Sequence, residues 1–114
     1  MSGFSEGDVI EIDDDRATGH EQRGRRPALV VSITGFQELG FAMVCMITTH
    51  GGKASKPRSD FEVAIPPGFA VEGVVLSHQL RTIDWKARAA AVIDHLPRAT
   101  LLRVRSRLKF FLGL

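Results

Sequence analysis

A charged segment that ends at a proline, EQRGRRP, holds the first side chains able to do chemistry. Glu21 offers a base, and Arg23, Arg25 and Arg26 offer guanidiniums that bind phosphate oxygens and stay charged at any working pH. Gly24 lets the backbone approach a ligand closely. These residue types predict either an anion-binding loop or a merely polar, solvated loop, and composition alone does not choose between the two.

A second polar segment follows the apolar run FAMVCMI. If the runs at 27–33 and 41–47 pair as neighbouring strands, the end of the second run brings Thr48 close to Glu21 and Arg26. Hydroxyls and an imidazole beside guanidiniums would form an anion site, although Thr-Thr at a strand end also follows from β propensity alone. Long loops in small domains are commonly functional. The polar side chains of this loop include Thr48, Thr49, His50, Lys53 and Lys56.

Histidines supply the candidates for proton transfer, because an unperturbed imidazole titrates near neutral pH. His20 and His78 are these candidates, whereas His95, just before Pro97, is interpreted as structural. No two histidines stand at metal-ligand spacing and the chain has one cysteine, so neither a metal site nor a cofactor is predicted. That cysteine, Cys45, lies inside an apolar run and is interpreted as a small buried hydrophobe.

The overall composition is that of one ordinary globular domain spanning residues 1–114. Apolar residues make up 44% of the chain and charged residues 25%, which argues against global disorder. The N-terminal sequence lacks the pattern of a signal peptide, and no apolar run is long enough to span a bilayer. A cytoplasmic protein with no membrane partner is therefore predicted.

Charge is distributed unevenly along the chain. The net charge is +2, but residues 81–114 carry eight Lys and Arg against two Asp and Glu. A basic C-terminal third attracts polyanions or an acidic protein. The alternative is that these side chains form only the solvated face of a helix.

Hydrophobic periodicity supplies the elements that position these groups. Short alternating or β-branched runs predict strands at 8–13, 27–33, 41–47, 61–65 and 73–80. Polar stretches predict loops at 13–26 and 48–60, and residues 34–40 predict a turn that includes a short helical turn. The segment 83–96 contains helix-favouring alanines, but it is interpreted as a strand because each strand of a small barrel needs a neighbour.

The C-terminal segment predicts an amphipathic helix. Pro97 suits a helix N-terminus, and apolar residues recur after it at helical spacing with arginines on the other side. This apolar stripe consists of Leu101, Val104, Leu108 and Phe111, widened by Leu102 and Leu112. The whole pattern predicts a mainly β fold: five to seven strands in a strongly bent sheet or small barrel, with one C-terminal helix packed on it.

Four motifs together resemble a known family. GDVIEID, TGHEQRGRRPALVV, MITTH and VVLSHQLRTIDWKAR are similar, in order and spacing, to the MazF/PemK family of toxin endoribonucleases. The similarity runs from Gly7 to the terminal helix. Its most specific part is EQ-x-G-x-RP after the first strand combined with Q-x-RTID after a later one.

The resemblance implies a toxin of a type II toxin–antitoxin system that forms a homodimer of SH3-like barrels. It implies metal-independent, sequence-specific cleavage of single-stranded mRNA, leaving 2′,3′-cyclic phosphate and 5′-OH ends. It also implies a cognate antitoxin whose C-terminal segment blocks the RNA groove.

The family's site residues map onto this chain at matching motif positions. The catalytic arginine matches Arg26 and the catalytic threonine Thr48, while the glutamate of EQ matches Glu21 and the histidine before it His20. The remaining residues expected to bind RNA are Arg23, Arg25, Thr49, His50, Lys53, Lys56, His78, Gln79 and Arg81.

One position departs from the PemK-like pattern and leaves a role open. Where PemK-like members carry an arginine and an aspartate, this chain has Leu76 and His78. His78 either transfers a proton or lines the RNA groove, and the second interpretation is favoured because Arg26, Thr48 and Glu21 already supply charge stabilisation and a base. Two further alternatives are a CcdB-like toxin that binds DNA gyrase without cleaving RNA, and a MazF-like chain that has lost catalysis.

Overall fold

The computed structural model describes residues 4–13, 24–49, 57 and 59–114. Within these residues the chain forms six strands, one 3-10 helix at Thr34–Leu39 and one α-helix. Their bounds are β1 (Asp8–Asp13), β2 (Arg25–Val30), β3 (Phe41–Thr48), β4 (Glu62–Ala64), β5 (Val74–Asp84), β6 (Ala91–His95) and α1 (Arg98–Leu112).

The six strands form one antiparallel sheet in the order β4-β5-β3-β2-β1-β6. The predicted mainly β fold with a C-terminal helix is therefore confirmed. Among the described residues the sheet does not close into a barrel through hydrogen bonds, because β4 and β6 remain as its two edges.

Alternation along the strands divides the core into two layers, as the two-residue period of a strand requires. One layer, here called the helix-side cluster, contains Val9, Leu29 and Cys45 together with Leu101 and Val104 of α1. The opposite layer, called the far-side cluster, is formed mainly by the strand residues that alternate with these and project from the other face of the sheet. Its members are Phe4, Ile10, Ile12, Ala28, Val30, Ala42, Val44, Met46, Val74, Leu76 and Ile83.

The terminal helix begins as predicted after Pro97, whose extended backbone caps it, and it ends at Gly113 in the left-handed conformation. The prediction that Leu102 and Leu112 widen its buried stripe is wrong, because their exposed fractions are 48% and 60%. The helix lies on an open sheet rather than in a bundle, so only a narrow stripe is covered. No helix in the described part of the chain is long and apolar enough to cross a membrane.

Two strand predictions need correction. Residues 83–96 are not one strand: β5 ends at Asp84 and β6 begins at Ala91. The Asp84 carboxylate accepts the backbone N–H groups of Lys86 and Ala87 at 3.2 and 3.1 Å, which bends the chain into a turn. The strand predicted at 27–33 instead covers Arg25–Val30, because pairing with β1 extends over its charged end.

The N-terminal segment is held against α1 by an ion pair. Glu6 Oε1 lies 2.8 Å from Arg105 Nη2 and 3.9 Å from Arg98 Nη1. Arg105 Nε also donates to the carbonyl oxygen of Val31 at 3.0 Å. Hydrogen bonding to the Arg105 guanidinium holds the pKa of Glu6 below its ordinary value of 4.5.

We expect Glu6→Gln to lower stability near neutral pH by at most about 1 kcal/mol, since the pair is partly solvated. A lowered folded-state pKa contributes stability that is present above the ordinary glutamate value and is lost as pH falls through the folded-state value. The difference in melting temperature between Glu6→Gln and the unsubstituted protein should therefore shrink below pH 4.5. Glu38→Gln, at an exposed position, is the control. A difference that stays constant from pH 7 to pH 3 would contradict this role of Glu6.

Candidate active site

The pairing of β2 with β3 builds the centre of the site. Ala28 lies opposite Met46 in an antiparallel register. Carrying that register to the ends of the two strands places Arg26 opposite Thr48. Directly opposite residues project from the same face, with Cβ atoms about 4.5–5.5 Å apart. The predicted pairing of these two strands is confirmed. Its register, continued by two residues, aligns Arg26 and Thr48 on one face.

A second guanidinium lies on the same face of the sheet. Arg81 of β5 pairs with Val44 of β3, a residue of the far-side cluster. Its Nη1 lies 3.5 Å from the sulfur of Met46 and donates to it. Arg26 is exposed, while Thr48 and Arg81 are half-buried. Three neighbouring strands, β2, β3 and β5, thus present two guanidiniums and a hydroxyl at the rim of the far-side cluster.

The backbone of Thr48 is held from the other side by a glycine. Gly73 directly precedes β5 with a φ of 116°, and a Cβ added there would overlap the carbonyl oxygen of Thr48. The same Cβ would lie 3.2 Å from the Cα of Thr49. Sequence reasoning did not single out Gly73, although a glycine just before a strand is a sign of close backbone approach.

Arg25 points away from Arg26, because neighbouring residues of a strand project from opposite faces. Its Nη1 lies 3.1 Å from Asp13 Oδ1, its Nη2 donates to the carbonyl oxygen of Glu11 at 2.8 Å, and its Nε lies 3.6 Å from the Glu11 carboxylate. Arg25 was expected to bind RNA. In the structure its guanidinium joins β2 to β1, and its binding to RNA stays a prediction.

His78 lies at an irregularity in β5. Cys45 pairs with Leu80 and Ile47 with Val75, so residues 76–79 of β5 face the single residue Met46. Such bulges change the direction of side chains. Ser77 is buried and its hydroxyl donates to the carbonyl oxygen of Phe61, whereas His78 is exposed and Gln79 half-buried.

The ring of His78 packs against Phe61, with 5.1 Å between ring centroids, and Phe61 in turn contacts Phe111 of α1. These contacts place His78 with the residues beside the helix. They do not bring it together with Arg26 and Thr48 in this chain.

Several sequence-predicted residues lie outside the described part of the chain. They are His20, Glu21, Arg23, His50, Lys53 and Lys56. Of the predicted catalytic residues, the structure therefore describes Arg26 and Thr48, whereas the candidates Glu21 and His20 lie outside the described residues. Thr49, the residue after β3, is half-buried.

Cysteine chemistry has no role at this site. Cys45 is fully buried in the helix-side cluster, and burial raises the pKa of its thiol to about 12. A thiol with that pKa stays protonated at neutral pH and is a poor nucleophile. The interpretation of Cys45 as a buried hydrophobe is confirmed. Within the described ranges, no three His, Cys, Asp or Glu side chains lie close enough together to hold a metal ion.

The chain belongs to the PemK/MazF family of toxins. The family profile described as "PemK-like, MazF-like toxin of type II toxin-antitoxin system" matches residues 5–112. The endoribonuclease toxin ChpB of Escherichia coli is 38% identical over 110 residues, which cover 92% of this chain and 94% of ChpB. The endoribonuclease PemK of Escherichia coli is 32% identical over 112 residues, which cover 97% of this chain and 84% of PemK.

The fold matches solved structures of the same family. MazF from Deinococcus radiodurans superimposes with a TM-score of 0.80 at 33% identity, covering 96% of both chains. A MazE–MazF structure from the same organism gives a TM-score of 0.81 at 30% identity, covering 96% of this chain and 95% of that one. The open six-stranded sheet with its terminal helix is therefore the MazF fold.

Proposed function

We propose that this protein is an endoribonuclease toxin that cleaves single-stranded mRNA at sequence-specific sites without a metal ion, and so inhibits translation and growth. The observation that supports the proposal is the register of β2 with β3, which, continued past Ala28 and Met46, aligns Arg26 with Thr48 on the face that also carries Arg81. The family membership and the endoribonuclease relatives support the same activity.

The proposed reaction uses a nucleophile that the substrate supplies. The 2′-OH loses its proton to a base, and its oxygen attacks the adjacent phosphorus. The bond from phosphorus to the 5′-oxygen then breaks, and that oxygen takes up a proton. The products are a 2′,3′-cyclic phosphate and a 5′-OH end.

The described residues account for the electrostatic part of this reaction. Negative charge grows on the phosphoryl oxygens as the phosphorane forms, and fixed donors aimed at those oxygens lower the barrier. Arg26 contacts the phosphate from the exposed end of β2, and the Thr48 hydroxyl donates from β3 beside it. Glu21 and His20 remain the candidates for proton transfer, and which of them is the base and which the acid stays open. Thr49, Gln79 and Arg81 are proposed to hold the RNA next to the scissile phosphate.

We also propose that the protein is inhibited by a cognate antitoxin and acts as a homodimer in the cytoplasm, where mRNA is translated. The MazE–MazF structures of Deinococcus radiodurans support the antitoxin as a partner. The described surface leaves large apolar side chains exposed, which association would cover. The CcdB-like alternative has no comparable support, since the relatives described above are endoribonucleases.

The experiment that tests the activity is incubation of the purified protein with a long single-stranded RNA in buffer containing EDTA. We expect discrete fragments from the RNA and no cleavage of single-stranded DNA, because DNA lacks the 2′-OH. Arg26→Ala prepared in parallel controls for a contaminating nuclease. Intact RNA after prolonged incubation would favour a binding-only toxin or a chain without catalysis, and it would refute the proposal.

A further inference from the structure

The loop that joins β4 to β5 is held to the strand at the opposite edge of the sheet by one carboxylate. Oδ2 of Asp94, on β6, accepts the backbone N–H of Ala70 at 2.6 Å, and Oδ1 accepts the backbone N–H of His95 at 2.8 Å. We call the hydrogen bond between Asp94 and Ala70 the clasp. Because β4 and β6 are the two edge strands, the clasp connects the two sides of the open sheet through a side chain.

The clasped loop, residues 66–72, is closed at its base. The backbone N–H of Ile65 donates to the carbonyl oxygen of Gly73 at 3.0 Å, so the two ends of the loop lie side by side. Val71 is buried in the helix-side cluster. The loop is therefore a compact unit, and a displacement at Ala70 is carried to Gly73 three residues later.

The clasp supplies a direction that the packing of Val71 does not. Burial of apolar surface is non-directional, whereas a hydrogen bond to a carboxylate has a preferred length and angle. Asp94 is half-buried, and each of its two oxygens accepts a backbone N–H. Its side chain is therefore held in one orientation, and it fixes where the loop lies along the edge of the sheet.

Gly73 connects the clasped loop to the proposed active site. A Cβ added at Gly73 would overlap the carbonyl oxygen of Thr48, so the two backbones are in direct contact. The next residue, Val74, pairs with Thr48 across β5 and β3. The residue whose hydroxyl is proposed to donate to the phosphate therefore packs, through its backbone, on the end of this loop.

We propose that Asp94 is a positioning residue for RNA cleavage: through Ala70 it holds Gly73 against Thr48 and so fixes the direction of the Thr48 hydroxyl. The proposal rests on the proposed endoribonuclease function. Asp94 belongs to β6, which is separated from β3 by β1 and β2 in the order of the sheet. Both of its oxygens are bound by backbone N–H groups, so it acts through the loop and not on the substrate.

The test compares Asp94→Ala with Asp84→Ala. Asp84 is the matched control, because its carboxylate also accepts two backbone N–H groups, but it lies at the end of β5 that pairs with Phe41 and not with Thr48. Both variants should lose some thermal stability, so cleavage is measured well below the melting temperature of each.

We expect Asp94→Ala to lower kcat for RNA cleavage about tenfold, since a small displacement of a catalytic group slows a reaction steeply. Asp84→Ala should keep kcat within about twofold, because the turn that it stabilises does not contact Thr48. In both variants KM should be unchanged, and so should Kd for a fluorescein-labelled, fully 2′-O-methylated RNA that the protein cannot cleave. A merely structural role of Asp94 would not separate kcat from KM in this way.

Amide hydrogen exchange followed by NMR measures the clasp without any cleavage. The N–H groups of Ala70 and Ile65 should exchange at least about tenfold faster in Asp94→Ala than in Asp84→Ala, because the first variant opens the loop locally. Asp94→Asn keeps one acceptor oxygen and serves as the second variant if Asp94→Ala does not fold. Its losses in kcat and in protection from exchange should both be smaller.

A normal kcat in folded Asp94→Ala would overturn the proposal. Equal losses of kcat in Asp84→Ala would also overturn it, because they would assign the effect to stability, and so would a raised KM with unchanged kcat. Absence of cleavage by the unsubstituted protein would instead refute the proposed function, and exchange at Ile65 would still show whether Asp94 holds the base of the loop.

Discussion

Arg26→Ala is expected to lower kcat for RNA cleavage by about a hundredfold or more, the usual cost of removing one preorganised donor to a developing oxyanion. Arg26 is exposed at the end of β2, so its removal leaves the core untouched. Single-turnover cleavage at saturating RNA measures the effect, and far-UV circular dichroism checks that the protein is folded.

The neighbouring residue provides the control for this substitution. Arg25→Ala removes the same charge one position away, but the Arg25 guanidinium is bound to Asp13 and to the carbonyl oxygen of Glu11 on β1. We expect Arg25→Ala to keep most of the cleavage rate and to lose a little thermal stability. Equal losses of kcat in both variants would mean that net charge, rather than the position of Arg26, supports catalysis.

Gly73→Ala is expected to be the most damaging substitution outside the charged residues. The added Cβ would overlap the Thr48 carbonyl, and the residue would have to keep a φ of 116° that L residues rarely adopt. The end of β3 must then move, and a displacement of about 1 Å at a catalytic group can cost about a hundredfold in rate. We expect a comparable loss of kcat together with a lower melting temperature.

Gly68→Ala separates the two effects expected of Gly73→Ala, which are backbone strain and overlap with the Thr48 carbonyl. Gly68 has a similar φ of 97°, but nothing lies within 4 Å of an added Cβ. It should therefore lose stability without losing kcat. If Gly73→Ala keeps the normal rate at a temperature where it is folded, then Thr48 is not positioned by this contact, or Thr48 does not act in the reaction.

Local patterns in the sequence were sufficient for most of the fold. The strand prediction at 8–13 is confirmed by β1, and the hairpin around the 3-10 helix was predicted from two β-branched runs and a turn. The turn after Asp84 was missed because it depends on one carboxylate binding two backbone N–H groups. Alanine-rich sequence around it favours neither a turn nor a strand, so periodicity gave no signal.

The site was predictable only in part, for a topological reason. Pairing of two strands predicts that their ends meet, and this was enough to associate Thr48 with Arg26. The position of His78 depends on the shift in register between β3 and β5, which changes the direction of residues 76–79. A one-residue change in register exchanges the two faces of a strand. Neither the contact of His78 with Phe61 nor the approach of Gly73 to Thr48 has a counterpart in sequence spacing.

The central claim is that the substrate's own 2′-OH attacks a phosphate held beside Arg26 and Thr48. The most direct measurement compares, in EDTA, a mapped RNA substrate with the same strand carrying a single 2′-deoxynucleotide on the 5′ side of the cleaved bond. The account predicts that the two strands bind equally, that only the all-ribose strand is cleaved, and that its product ends in a 2′,3′-cyclic phosphate. Cleavage of both strands at similar rates would contradict it.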